Sequence, residues 1–158
     1  APLSLAATDL IGKVMPPYPA GLDELGGSCV SDSADPAHVC DYSVGVLAAP
    51  ASEQRAGPMP RFVVAGQLAG RDGARAQWRI TDAVPYPTGR PGYYLQFGTC
   101  RVNGRDDPRV AAIVRQHDTS TEWLGDVAWA GRLHLPDARF DVLEAKTVDC
   151  INEAYYGL

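Results

Sequence analysis

The run His117-Asp118-Thr119-Ser120-Thr121-Glu122 gathers an imidazole, two carboxyl groups and three hydroxyls within six residues. Those are the side-chain types of a hydrolytic site. General acid-base catalysis also needs them within hydrogen-bond reach and shifted in pKa, and adjacency in sequence supplies neither. Short hydroxyl and carboxyl side chains bond readily to nearby backbone, so the same run reads as a turn between two strands. A small hydrolase built on His117, Asp118 and Glu122 is an alternative reading and not the leading one.

Glycoside hydrolysis would use two carboxylates facing each other, and Glu122, Asp126, Glu144, Asp149 and Glu153 are the candidates. Nothing in their spacing puts two of them on one face. No G-x-S-x-G elbow occurs, and Gly26-Gly27-Ser28-Cys29 is the nearest glycine-rich nucleophile context. Ser31-Asp32-Ser33-Ala34-Asp35 is oxygen-rich but lacks the length, the central glycine and the final glutamate of an EF-hand loop. His38, His117 and His134 lie far apart and no C-x-x-C is present, so neither a metal nor another cofactor is expected.

Aromatic residues point to binding. Tyr86, Tyr93 and Tyr94 surround a Pro/Gly-rich connection, and they are the binding residues the sequence nominates. Tyr155 and Tyr156 lie near the C-terminus, and Trp123 and Trp129 fall close to one strand. Tyrosine and tryptophan offer large contact area at low entropic cost, which is why binding surfaces favour them.

The four cysteines, Cys29, Cys40, Cys100 and Cys150, form one close pair and one distant pair. Four cysteines allow three connectivities. The favoured one joins Cys29 to Cys40 around a short polar loop and Cys100 to Cys150, which fastens the C-terminal segment to a central strand. An even count without metal-ligand spacing suits an oxidising compartment, so a periplasmic or secreted location is expected. Alanine at position 1 is consistent with a signal peptide already removed.

The chain has 158 residues, with 46% hydrophobic and 21% charged side chains. That is the size and composition of one globular domain with its own core. The net charge of −5 disfavours nucleic-acid backbones and anionic lipid, and no apolar stretch is long enough for a membrane-spanning segment. The expected partner is an extracytoplasmic protein.

Residues 1–39 are punctuated by Pro2, Pro16, Pro17, Pro19, Gly21, Gly26, Gly27 and Pro36, which reads as an arm packed on a single antiparallel β domain at 40–158. From Tyr42 the pattern is one of strands: Tyr42 to Ala49, Arg61 to Leu68, Ala76 to Asp82, Tyr93 to Val102, Glu122 to Leu135 and Arg139 to Ala145. A hairpin signal lies at Gly70 to Gly73, and Asn103-Gly104 marks another turn. In Glu122 to Leu135 the set Trp123, Gly125, Val127, Trp129, Gly131, Leu133 and Leu135 is expected on the core face. Residues 107–117 fit either a short helix capped by Asp107 or a strand of β-branched residues.

The fold class expected is mainly β, or α+β if 107–117 is helical, arranged as a partly closed antiparallel barrel or a sandwich and stabilised by disulfides. The function expected is binding or inhibition through loops and surface aromatics, without catalysis. Besides the hydrolase, the remaining alternative is a β-barrel carrier of a small apolar ligand.

Overall fold

The computed structural model describes residues 5–87, 91–116 and 120–157. It divides into two compact units, one running up to Tyr86 and including Leu135–Arg139, the other holding Pro87–His134 and the residues from Phe140 onward.

In the first unit, five strands make one antiparallel sheet: β1 (Val14–Met15), β2 (Asp23–Val30), β3 (Tyr42–Ala49), β4 (Met59–Asp72) and β5 (Arg75–Pro85). Their spatial order is β1-β5-β4-β3-β2. The central strands pair Val46 with Val63, Gly45 with Val64 and Val63 with Val84, so β-branched side chains meet across each ladder. Gly73 and Ala74 turn β4 into β5, three residues beyond the expected start of the turn, because β4 continues through Gly70 by a register shift after Leu68.

One face of this sheet is covered by the residues that precede β2. Leu10 and Met15 are fully buried against Leu47, Phe62, Val64, Ile80 and Ala83, with Tyr18 and Leu22 packed at the margin. A short 3-10 turn at Ala7–Leu10 begins this cover, held by the Ala6 N–H donating to Asp9 Oδ2 at 2.9 Å. The strand β2, inside the stretch read from sequence as Pro/Gly punctuation, is a difference from expectation. Its Gly-Gly-Ser sequence has little strand propensity, and pairing with β3 along Asp23–Val30 supplies what local preference does not.

The second unit has two four-stranded antiparallel sheets. β6 (Tyr93–Phe97), β9 (Val110–Arg115), β11 (Val127–His134) and β12 (Arg139–Val142) form one, in the order β12-β11-β9-β6. The other, ordered β10-β13-β7-β8, holds β7 (Cys100–Val102), β8 (Arg105–Asp106), β10 (Trp123–Leu124) and β13 (Val148–Ile151). Val110, Ala112, Val114 and Ala130 from the first sheet pack against Cys100, Leu124, Val148 and Cys150 from the second. This unit is therefore a small two-layer sandwich.

One choice left open by the sequence is decided here and two expectations are corrected. Residues 110–115 are strand, and the helical spacing arose because all five residues from Val110 to Val114 are buried, which erases the two-residue alternation. The long strand expected at Tyr93 to Val102 breaks at Gly98, whose φ of 86° turns the chain from one sheet of this unit to the other. The strand at Glu122 to Leu135 breaks at Gly125-Asp126 and shifts register after Val127; Gly131 and Leu133 are buried as expected, but Leu124 and Ala130 also enter the core while Trp123 is only half-buried.

The fold is all-β, with three antiparallel sheets, no α-helix among the described residues and no sheet closed on itself. Of the two arrangements expected, the sandwich is the one the second unit forms, and no closed barrel is present among the described residues to enclose a ligand. Both favoured disulfides are formed, Cys29 to Cys40 and Cys100 to Cys150. Cys100 and Cys150 face each other in register on β7 and β13 and are 2% and 0% exposed, whereas Cys29 lies exposed on β2. A thiol reagent must reach the sulfur it attacks. Native-state reduction with a graded thiol, followed by alkylation and peptide mapping, is therefore expected to label Cys29 and Cys40 first and Cys100 and Cys150 only on unfolding.

Candidate functional site

The polar residues nominated by sequence do not assemble into one site among the described residues. His117 and Asp118 lie outside the described residues. Glu122 accepts a hydrogen bond from the Tyr156 hydroxyl, and its own carbonyl accepts from the Asn152 N–H at 2.8 Å. Asp149 is held by Arg101 through two bonds of 2.8 and 2.6 Å, and the same guanidinium lies 3.5 Å from the centre of the Trp123 ring. Glu144 pairs with Lys146 at 3.4 Å on the surface, and Asp126 and Glu153 are exposed.

Three side chains of the oxygen-rich loop bond to its own backbone. Ser31 Oγ accepts from the Ser33 N–H, Ser33 Oγ from the Asp35 N–H, and Asp35 Oδ1 from the Ala37 N–H, capping the 3-10 turn Pro36–His38. Among the described residues no three His, Cys, Asp or Glu side chains converge as metal ligands do. Of the nominated tyrosines, Tyr86 is buried with its N–H donating to the Arg61 carbonyl, Tyr93 is half-buried, and Tyr94 is 58% exposed on the edge strand β6.

The most site-like feature lies elsewhere, on the covered face of the first unit's sheet. Across that face Leu47, Val64 and Ile80 give way toward the β2 edge to Ser43, Gly45 and Gly27, and the side chains become too small to meet the cover. The result is a cleft of about 140 Å³, walled by Met15, Tyr18, Trp78 and Ile80 and opening where Glu24, Gly27, Ser28 and Cys29 are exposed. An apolar space of roughly 150 Å³ admits one six-membered ring.

Its floor depends on a close approach of backbones. Gly27 and Gly45 are direct cross-strand partners. A Cβ placed on Gly45 would lie 2.8 Å from the Gly26 carbonyl oxygen, so any larger residue would push β2 away. At Gly27 the nearest atoms would be Glu24 Oε1 at 3.2 Å and the Val44 carbonyl oxygen at 3.3 Å. A glycine inside a strand pattern marks such close approaches, and Gly45 between Val44 and Val46 was the available sequence signal for this site.

The rim is polar, with the Glu24 carboxylate on it and the Arg75 guanidinium beside it. Tyr18 donates its hydroxyl to Glu24 Oε2 at 3.0 Å, and Arg75 lies over the Tyr18 ring at 5.7 Å. Burial raises the Tyr18 pKa above the usual phenol value, the Glu24 hydrogen bond and charge add to that, and Arg75 opposes it. Burial likewise raises Tyr42, helped by the charges of Asp32 and Asp41. Among the described residues lining the cleft, Glu24 is the one carboxylate and there is no histidine. An apolar floor with a single acidic group at its mouth is suited to holding a ring or a branched side chain.

Compared with known proteins, the chain matches no family model, no curated protein and no solved structure. The two disulfides point to an oxidising, extracytoplasmic compartment. No helix among the described residues is long and apolar enough to cross a membrane.

Two outcomes follow from this geometry. Gly45→Ala is expected to cost about 1–3 kcal/mol in denaturant unfolding, because backbone must move, and Gly27→Ala less, because the Glu24 side chain can swing aside. Since the folded state favours the neutral phenols of Tyr18 and Tyr42, it binds more protons than the unfolded state above pH ~10. Their contribution is complete below that pH and is lost as pH rises through the raised folded values. Unfolding at pH 9 and 11 should show a smaller alkaline loss in Tyr18→Phe than in the parent.

Proposed function

We propose that this chain is a secreted or periplasmic binding domain that acts without catalysis, holding an apolar side chain or ring of a partner in the cleft beside β2. The observation that supports it most is the apolar cleft floored by Gly27, Gly45 and Ser43, on a face whose remainder is closed by Leu10 and Met15. A core left to pack efficiently would fill such a space, because interiors are close-packed and each missing contact is a loss. The disulfides support a compartment outside the cytoplasm, where small domains are commonly stapled in this way.

The surface contacts expected of Tyr86 pass in this reading to the cleft, since Tyr86 is buried. Tyr94 keeps an exposed ring on β6.

A ring-sized probe tests the proposal. Titration of the labelled protein with p-cresol, followed by amide and indole NMR shifts, should move Gly27, Ser43, Gly45 and the Trp78 indole together and saturably. In Ser43→Phe, whose side chain occupies the cleft, those shifts should fall at least tenfold in apparent affinity while the fold is retained. Shifts scattered over the surface, or equal binding in the variant, would reject the cleft as the binding site.

A further inference from the structure

We infer that β2 captures an extended, basic segment of a partner protein by strand addition, with one apolar side chain of that segment seated in the cleft. The inference rests on the binding role proposed above and adds the partner's class and its mode of attachment.

Three observations carry it. First, β2 is the outer strand of its sheet: it pairs with β3 on one side and, among the described residues, with no strand on the other. Eight residues of backbone with seven exposed positions offer the row of N–H and C=O groups that an added strand completes.

Second, the cleft opens onto that same edge. Glu24, Gly27 and Cys29 lie opposite Leu47, Gly45 and Ser43, so they share the cleft face of β2. Gly27, between the other two, has no side chain to block a path from the edge to the floor. An added strand lies about 4.8 Å beyond β2, a distance an aromatic or long aliphatic side chain spans.

Third, the charge is concentrated here. Between Val14 and Gln54 there are six carboxylates, Asp23, Glu24, Asp32, Asp35, Asp41 and Glu53, and no lysine or arginine. The whole chain holds 19 acidic and 14 basic residues, so this stretch accounts for the net negative charge and the remainder is near neutral. Asp23 and Glu24 stand on β2 itself and Asp32 and Asp35 follow it directly. Like charge opposes pairing of two copies through this edge and favours a basic strand.

The test uses the intact oxidised protein and the peptide Lys-Thr-Phe-Thr-Lys, blocked at both ends. Its alternation puts both lysines and the phenylalanine on one face. Saturable binding is expected, with NMR shifts along β2 and at Gly45 and Trp78. Replacing phenylalanine by alanine should weaken it about tenfold or more. Replacing both lysines by glutamate, raising salt, or the protein change Glu24→Lys should each weaken it several-fold.

N-methylation of the peptide separates the two layers of the reading. Methyl groups on alternate amides should abolish binding and those on the intervening amides should not, because only one set faces β2. Phenylalanine-dependent binding indifferent to every N-methylation would overturn strand addition while leaving the cleft as a ring site. No binding of the peptide where p-cresol still binds would do the same, and failure of both probes would reject the binding role itself. Concentration-dependent dimerisation that protects the β2 amides from exchange without peptide would assign the edge to a second copy and overturn the inference.

Discussion

The cross-strand pair Gly27 and Gly45 is the constraint on which the rest of the candidate site depends. With no Cβ on either residue, β2 sits close enough to β3 that one added carbon on Gly45 would meet the Gly26 carbonyl oxygen at 2.8 Å. The same absence of side chains leaves the sheet bare beneath Tyr18 and Trp78, which makes the cleft. A single local feature therefore sets both the position of the outer strand and the shape of what lies beside it. Larger residues at either position would fill the floor and displace the edge together.

Around that pair, the forces divide between a packed side and an open side. Leu10 and Met15 seal one end of the sheet face against Phe62, Val64 and Ile80, where apolar burial of about 25 cal/mol per Å² holds the cover in place. At the other end β2 has, among the described residues, one strand neighbour and almost no buried side chains of its own, Val30 excepted. Its retention rests on the ladder to β3 and on the Cys29 to Cys40 bridge, which ties the end of β2 to the residues just before β3. In the chain-entropy view that short bridge contributes about 3 kcal/mol and the Cys100 to Cys150 bridge about 4 kcal/mol. The first secures an exposed edge, and the second reinforces a core that Val110, Val114 and Leu124 already fill.

Much of the fold was legible in the sequence because half-buried strands show their period. Tyr42 to Ala49, Arg61 to Leu68 and Ala76 to Asp82 were readable as strands, the last two as a hairpin, and the favoured cysteine pairing is the one that forms. The failures have a common physical origin, which is that neighbours decide what local pattern leaves open. Val110 to Val114 is buried along its whole length, so its alternation vanished, and Gly98 and Gly125 interrupt strands whose apolar period runs on through them. The site was less legible than the fold. Exposure of Tyr86 depended on tertiary packing that sequence does not encode locally, while Gly45 inside a β-branched strand was a visible mark of close approach.

The proposed binding role requires that the space between the sheet face and Tyr18 be an apolar cleft that the protein keeps open. Diffraction from a crystal of the oxidised protein pressurised with xenon tests this directly, because xenon enters apolar cavities of this size without needing hydrogen bonds. The expected result is a xenon peak above Gly45, within van der Waals reach of Met15, Trp78 and Ile80. A Tyr18 or Trp78 ring folded down onto Gly27 and Gly45, with no xenon between, would contradict it.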